Sequence, residues 1–143
     1  LEYLKKNYNV DADNIFATGH SNGGGFTYAL WAFRGHKFKA FAPSASSSRR
    51  LGENAKRREP KPVFIISGEQ DDIVPIARVR RDVAEAKRIN GCTGSQSKFT
   101  DSTTIYYGEN GADVVDAIHP YGHDFLRALL PDIVRFFKSV YKE

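Results

Sequence analysis

Hydrophobic positions along the chain alternate between short strand-type runs and stripes with helical spacing. The strand-type runs cover residues 15–18, 40–42, 63–66, 103–107 and 114–118. The helical stripes, which follow a predicted helix end at residues 1–8, are Phe26/Ala29/Leu30/Phe33, Ile76/Val79/Val83/Ala86 and Ile133/Phe136/Phe137/Val140. The continuous run at 63–66 is typical of a parallel strand with both faces covered. The pattern therefore predicts an α/β fold, with a mainly parallel sheet and helices on both faces.

Turn and loop residues mark the boundaries of these elements. Asn90-Gly91 is a good helix end, and Pro131 suits the first turn of the last helix. The polar stretch 44–62 is predicted to be a loop and is the best candidate for mobility. No internal repeat or long linker interrupts the 143 residues, so we predict a single domain over 1–143.

Composition and charge narrow the range of partners. The net charge is +4, but basic pairs such as Arg49-Arg50 and Arg80-Arg81 are scattered among acids such as Glu53. This pattern favours a solvated mixed-charge surface, so no nucleic-acid partner is predicted. No apolar run approaches the ~20 residues of a membrane helix, so no membrane partner is predicted either. Cys92 is the single cysteine, which leaves no intrachain disulfide or cysteine metal cluster.

The strongest chemical signal is Gly19-His20-Ser21-Asn22-Gly23, which matches the G-x-S-x-G nucleophile elbow. An apolar strand precedes it and a helical stripe follows, which is the context that this motif requires. In such a turn the serine Oγ stands at the carboxyl end of the sheet. The N-terminus of the following helix favours an oxyanion, and the backbone N–H of Asn22 is its candidate donor.

Two acids follow the strand at 63–66 and are therefore expected at the same sheet edge as Ser21. Asp71 and Asp72 lie in the loop Ser67–Pro75. A buried acid at this place orients a catalytic histidine and stabilises its imidazolium form. The alternative role for a loop acid is to cap the helix that begins near Ile76, a role that suits Asp72.

A histidine follows the strand at 114–118, again at a carboxyl end. Ser21, Asp71 and His123 come in the Ser…Asp…His order of α/β-hydrolases. His119 and His123 also read as a metal pair four residues apart, but Pro120 and Gly122 oppose the helix that such a pair needs. We therefore predict no metal site. Of the lesser candidates His20 and His36, His20 is expected to pack or hydrogen-bond within the elbow.

Several of these segments together resemble one enzyme group. They are Val10–Gly24, Ala40–Ala45, the Gly-x-x-Asp-x-x-Val-Pro loop Gly68–Pro75, Asn90-Gly91-Cys92 and Tyr121-Gly122-His123. They resemble the polyhydroxybutyrate depolymerase and feruloyl esterase group of α/β-hydrolases, many of which act on plant cell-wall or polyester substrates. The resemblance implies Asp71 rather than Asp72 as the acid. It is also compatible with secretion, although residues 1–6 show no signal peptide.

The resemblance further implies that the N-terminal part of the domain is missing. Members of the group have several more strands before the helix in which this chain begins, so we expect a truncated α/β-hydrolase. One oxyanion-hole N–H belongs to that missing part, which leaves only Asn22. The elbow strand Ile15–Thr18 is then expected to be a sheet edge that pairs with another copy or with the missing segment.

These residues predict a serine esterase that works through an acyl-enzyme. Ser21 attacks the ester carbonyl, His123 takes and returns the proton, and Asp71 orients His123. The predicted substrates are small-molecule or polymer esters of the feruloyl, acetyl or polyhydroxyalkanoate type, and no cofactor is needed. Two alternatives stay open. One is an inactive or weakly active fragment that associates through its sheet edge, and the other is a serine peptidase of the prolyl oligopeptidase type.

Overall fold

The computed structural model describes residues 1–141, which build a six-stranded sheet in the order β1-β2-β3-β6-β5-β4. The strands are β1 (Phe16–His20), β2 (Ala40–Ser44), β3 (Val63–Gly68), β4 (Gln96–Thr100), β5 (Thr103–Tyr106) and β6 (Val114–His119). The helices are α1 (Glu2–Asn7), α2 (Asn22–Arg34), α3 (Ile76–Ile89) and α4 (Leu130–Val140). Short 3₁₀ helices cover Gly35–Lys37, Ser48–Arg57, Glu109–Gly111 and Arg127–Leu129.

Strands β1, β2, β3 and β6 are parallel, whereas β5 runs antiparallel to β6 and β4 antiparallel to β5. The predicted mainly parallel sheet is therefore confirmed. The sequence pattern missed β4, because its side chains are exposed or half-buried and leave no apolar run. No helix within residues 1–141 has both the length and the apolar character needed to cross a membrane.

Two hydrophobic cores lie on opposite faces of the sheet, because successive strand residues point to opposite sides. Val63 and Ile65 of β3 belong to the core that α2 and α3 cover, where Trp31 stacks on Phe41. The other core lies beneath α4 and includes the β3 residues Phe64 and Ile66. The prediction of helices on both faces is thus confirmed.

Helix α2 confirms the helix predicted from the apolar stripe Phe26/Ala29/Leu30/Phe33, but this stripe is not its buried face. Phe26 and Phe33 are 64% and 37% exposed. The helix instead buries Gly24, Thr27, Tyr28, Trp31 and Ala32. Polar partners explain part of this choice, because Trp31 Nε1 donates to Glu59 O at 2.8 Å and Thr27 Oγ1 donates to Gly23 O at 2.9 Å.

The stretch 44–62, predicted as a polar loop, contains a 3₁₀ helix that packs on α2 and is hydrogen-bonded to α3, whereas its mobility stays a prediction. Ser48 lies buried, and its backbone N–H donates to Asp82 Oδ2 at 3.1 Å. The Ser48 hydroxyl donates to the other carboxylate oxygen of Asp82. Arg58 is buried as well, with its guanidinium 5.0 Å from the Trp31 ring centroid. These long-range partners order a stretch whose composition alone indicates a loop.

The link between Ser48 and Asp82 gives a prediction about stability. Asp82→Ala should lower the free energy of unfolding by about 1–3 kcal/mol, because two buried donors of Ser48 lose their acceptor. Glu85→Ala on the same helix is the matched control. It removes an exposed ion pair with Arg88 and should change stability by less than about 0.5 kcal/mol. Urea denaturation measures both, and equal losses would contradict the anchoring role of Asp82.

Candidate active site

Ser21 occupies the tight turn between β1 and α2. Its backbone has φ 55° and ψ −116°, a conformation that costs a non-glycine residue about 1–3 kcal/mol. Backbone hydrogen bonds hold the turn on both sides. Ser21 N donates to Ser44 O at 2.9 Å, and Gly25 N donates to Ser21 O at 3.0 Å. The sheet and the helix together therefore impose the conformation of the serine.

Two glycines allow this turn to form. A Cβ on Gly19 would lie 2.4 Å from the carbonyl carbon of Gly23, and one on Gly24 would lie 2.6 Å from Ser44 O. A side chain at Gly19 would force β1 and α2 apart, and one at Gly24 would force α2 away from β2. A third glycine, Gly68, ends β3, and a Cβ there would lie 2.4 Å from Gly122 O. That contact brings the chain segment of Asp71 close to the segment of His123.

The three residues selected from the sequence meet at the carboxyl edge of the parallel strands. His123 Nε2 lies 2.8 Å from Ser21 Oγ, and His123 Nδ1 lies 2.8 Å from Asp71 Oδ2. The side chain of Asp71 is 1% exposed and that of His123 is 15% exposed. Water is thus largely excluded from the contact between carboxylate and imidazole, which strengthens it.

Backbone donors hold the Asp71 carboxylate in place. Its Oδ1 accepts the N–H of Ile73 at 3.0 Å and that of Val74 at 2.7 Å. This leaves Oδ2 for the histidine. Asp72 is exposed, and α3 begins after Pro75 without a side-chain cap, so the capping role considered for Asp72 is wrong.

Two further histidines lie near His123 and differ in their contacts. The His20 ring centroid is 5.1 Å from that of His123, and His20 Nδ1 lies 3.3 Å from Ser44 Oγ. Burial, and next the charge of His123, lower the pKa of the His20 imidazole. His119 is 3% exposed, neither ring nitrogen has a hydrogen-bond partner among the described residues, and burial lowers its pKa. Burial therefore favours the neutral form of both rings.

The predicted oxyanion donor, Asn22, is the first residue of α2. At this position the helix offers no acceptor for the backbone N–H, so that group stays available to a ligand. The Asn22 side chain makes a different contact, because its Oδ1 accepts from Arg50 Nη1 at 3.5 Å. Within residues 1–141 no group of three or more His, Cys, Asp and Glu side chains is placed to hold a metal ion.

A cleft of 660 Å³ opens beside Ser21. Its lining is Ser21, Asn22, Gly25, Phe26, Ser46, Ser47, Arg49, Arg50, Leu51, Ile73, Val74 and Arg78. The sequence reasoning assigned no role in the site to Phe26 or Arg78. Both become part of it only because α2 turns Phe26 away from the core and α3 begins next to the loop of Asp71. No local motif signals either position.

The sheet topology and the strand–turn–helix elbow are those of the α/β-hydrolase fold. Residues 1–56 match the prolyl oligopeptidase family, a match that includes the elbow but neither Asp71 nor His123. Two relatives extend further. The chain is 33% identical over 79 residues to the bifunctional acetylxylan esterase/xylanase XynS20E of Neocallimastix patriciarum. It is 28% identical over 122 residues to feruloyl esterase D of Neurospora crassa.

Coverage of these relatives is unequal. The first match spans 55% of this chain and 12% of the relative, and the second spans 80% of this chain and 41% of the relative. Solved structures share the fold at low identity. An acetyl xylan esterase from Aspergillus awamori superposes with a TM-score of 0.70 at 12% identity, covering 96% of this chain and 64% of that chain. A glucuronoyl esterase from Solibacter usitatus gives 0.71 at 16% identity, covering 99% and 46%.

The chain thus shares the α/β-hydrolase fold of these structures and is similar in sequence to esterases, of whose length it spans less than half. The likeness to feruloyl esterases expected from the elbow and the acid loop is thereby confirmed. The likeness to polyhydroxybutyrate depolymerases stays a prediction.

Two adjacent glycines at the start of α2 provide a test of the elbow geometry. Gly24→Ala should destabilise the fold by about 1–3 kcal/mol, because its methyl group would meet Ser44 O and Ser46 Cβ at 2.6 Å. Gly23→Ala is the matched control, since a Cβ there has no atom within 4 Å. It should leave stability unchanged or raise it by up to about 1 kcal/mol. Thermal or urea unfolding measures the stability of both variants. A Gly24→Ala protein as stable as the parent chain would refute the close approach of β2 and α2.

Proposed function

We propose that this chain carries the catalytic centre of a carboxylic-ester hydrolase that works through an acyl-enzyme. The observation that carries the proposal is the continuous hydrogen-bonded series from Ser21 Oγ through His123 to Asp71. Its two contacts are each 2.8 Å, which is the distance at which a nucleophile and its base exchange a proton. The esterase relatives support the same reaction class.

The reaction proceeds in two halves. Ser21 Oγ attacks the ester carbonyl while His123 Nε2 takes the hydroxyl proton, and the resulting tetrahedral oxyanion lies against the N–H of Asn22. The C–O bond to the alcohol then breaks, and His123 returns the proton to the departing alcohol. In the second half a water attacks the acyl-serine with the same proton transfers, which releases the carboxylic acid and restores Ser21. Asp71 keeps Nδ1 protonated and stabilises the imidazolium.

The neighbours of His123 favour this proton cycle. His123 becomes positively charged during each half-reaction. His20, 5.1 Å away between ring centroids, is neutral because burial lowers its pKa, so it adds no competing positive charge. The carboxylate of Asp71 is held by two backbone N–H groups and accepts from His123 Nδ1 without moving.

For the substrate we propose acetyl or feruloyl esters of plant cell-wall polymers. The relatives named as acetylxylan esterase and feruloyl esterase support this choice. Phe26, Leu51 and Ile73 give the cleft an apolar wall that suits an acyl or aryl group. The resemblance of the acid loop to that of polyhydroxybutyrate depolymerases keeps polyhydroxyalkanoate esters as a second substrate to test.

A serine peptidase is the second candidate, and the match of residues 1–56 to the prolyl oligopeptidase family favours it. Esterases and peptidases share the same three side chains, so the contacts of Ser21 fit both. The relative that covers 80% of the chain is an esterase, which weighs toward ester hydrolysis. The esterase and peptidase functions are distinguished by comparing turnover of the ester p-nitrophenyl acetate with turnover of the peptide benzyloxycarbonyl-Gly-Pro-p-nitroanilide. Turnover of the peptide without turnover of the ester would make the peptidase the leading candidate.

We further propose that the chain associates with itself through the free edge of β1 and is a weak esterase on its own. In residues 1–141, β1 pairs only with β2. The carbonyl of Ile15 and the N–H of Ser21 face β2, so the alternate residues Phe16, Thr18 and His20 turn their backbone groups outward. Such unpaired groups are a template for another strand. The single oxyanion donor, Asn22, supports low activity, because one missing donor typically costs ~10²–10³ in turnover.

The proposed nucleophile, base and acid give a direct prediction. With p-nitrophenyl acetate, Ser21→Ala and His123→Ala should each lower kcat by about 10⁴-fold or more, because the proton-transfer unit fails as a whole. Asp71→Asn should lower kcat by a similar or smaller factor. Ser102→Ala and Asp72→Asn are matched controls in exposed positions and should retain turnover. A fluorophosphonate should label the parent chain and not Ser21→Ala. Unchanged turnover in Ser21→Ala would rule out the elbow as the catalytic centre.

The free edge gives a second prediction. Thr18→Lys should lower the weight-average molar mass measured by analytical ultracentrifugation. A charge on an edge strand opposes pairing with another copy. Ser97→Lys places the same charge on β4 at the opposite end of the sheet and should leave association unchanged. A chain that sediments as a monomer at all concentrations, or that loses association only with Ser97→Lys, would contradict pairing through β1.

A further inference from the structure

The charged side chains that line the cleft beside Ser21 are all positive. Arg49 and Arg50 reach the cleft from the 3₁₀ helix Ser48–Arg57, and Arg78 reaches it from the first turn of α3. Among the described residues, the lining includes no aspartate or glutamate. Asp71, the nearest acid discussed above, is buried and has both carboxylate oxygens occupied by His123, Ile73 and Val74.

None of these three guanidinium groups has a carboxylate partner within residues 1–141. In the same part of the chain, the one side-chain hydrogen bond among them joins Arg50 Nη1 to the neutral amide oxygen of Asn22. Arginines elsewhere on the fold do find acids, as Arg80 does with Asp116 and Arg88 does with Glu85. The cleft therefore holds three uncompensated cations close together, an arrangement that attracts an anion.

The position of these cations relative to Ser21 defines what kind of anion fits. The same cleft is lined by Ser21 and Asn22 and by the apolar side chains of Phe26, Leu51 and Ile73. A ligand with its ester carbonyl at Ser21 therefore has apolar side chains and guanidinium groups available within the same cleft. The planar fork of arginine pairs with a carboxylate through two parallel hydrogen bonds.

We propose that the site prefers esters that carry a free carboxylate, which Arg50 and Arg78 bind while the ester carbonyl lies at Ser21. This inference rests on the proposed esterase function. The carboxylate takes no part in the bond changes, since hydrolysis still consumes one water and releases an acid and an alcohol. Arg49 adds to the same positive field. The carboxylate belongs either to the acyl part or to the alcohol part of the ester, and matched substrates distinguish the two.

The experiment compares kcat/KM for charged and neutral partners of the same shape. On the acyl side these are mono-(4-nitrophenyl) adipate and methyl 4-nitrophenyl adipate. On the alcohol side they are 4-acetoxybenzoate and methyl 4-acetoxybenzoate. At low salt the charged member of one pair should be preferred, and Arg78→Gln or Arg50→Gln should lower that preference about tenfold, the loss expected for one charge-assisted hydrogen bond. The preference should also fall as salt rises.

Arg81→Gln is the matched control, because it removes one positive charge from α3 outside the cleft. It should leave the ratio of charged to neutral kcat/KM unchanged. Ester hydrolysis that depends on Ser21 but shows no preference for either charged substrate would overturn this inference and leave the proposed function standing. An equal effect of Arg81→Gln and Arg78→Gln would also overturn it, since net charge and not the cleft would then be responsible.

A binding measurement keeps the inference testable if no ester is hydrolysed. The probe is N-phenyladipamic acid, an amide analogue that carries the carboxylate, and its neutral partner is hexananilide. Binding to the Ser21→Ala protein is followed by NMR titration. The acid should bind about tenfold more tightly than the neutral amide and should lose that advantage in Ser21→Ala/Arg78→Gln. Equal binding of both probes would refute the carboxylate site, whatever the outcome for catalysis.

Discussion

The close approach of β1, β2 and α2 around Ser21 is the constraint on which the rest of the site depends. Ser21 keeps a backbone conformation with φ 55° because its N–H bonds Ser44 O on β2 and its carbonyl starts the hydrogen bonding of α2. Glycines at 19 and 24 leave the space for that approach. The same contact fixes the rotation of α2 about its axis. Trp31 and Tyr28 then face the core, and Phe26 is left to line the cleft beside the serine.

The parallel arrangement of β1, β2, β3 and β6 brings together residues that are far apart in the chain. His20 at the end of β1 stands opposite Ser44 of β2, and Gly68 at the end of β3 stands opposite His119 of β6. The loops that leave these ends therefore emerge side by side. This is why order and position in the sequence indicate Ser21, His123 and the acid loop, within which the family resemblance selects Asp71, and why the three side chains lie within hydrogen-bonding distance.

Local pattern predicted the buried parallel strands and α3 well because these elements form mainly through the burial of apolar side chains. The local pattern was insufficient where hydrogen bonds to distant polar groups determine the packing of an element. The carbonyl of Glu59 accepts from Trp31 and contributes to the rotation of α2, and Asp82 holds Ser48, 34 positions away, by hydrogen bonds. Strand β4 is defined by its pairing with β5 and not by its composition. The cationic side of the cleft, with Arg78 and Arg50 on different elements, likewise arises only from tertiary packing.

The histidines and the arginines lie on different sides of Ser21, and this uneven distribution of charge affects the proposed reaction. On the histidine side, burial lowers the pKa of His20 and of His119, which favours their neutral forms, and His123 is the imidazole that contacts the buried Asp71. On the cleft side, Arg50 touches the side chain of Asn22, the residue whose N–H faces the developing oxyanion in the proposed reaction. A positive field aimed at that atom stabilises the transition state more than the neutral ester, because negative charge appears on the carbonyl oxygen only as the bond forms. Arg50, one of the arginines proposed to attract an anionic ester, therefore also favours the oxyanion in the proposed reaction. Since Arg49 and Arg50 are exposed, this contribution weakens as ionic strength rises, whereas the contact between Asp71 and His123, shielded from water, does not.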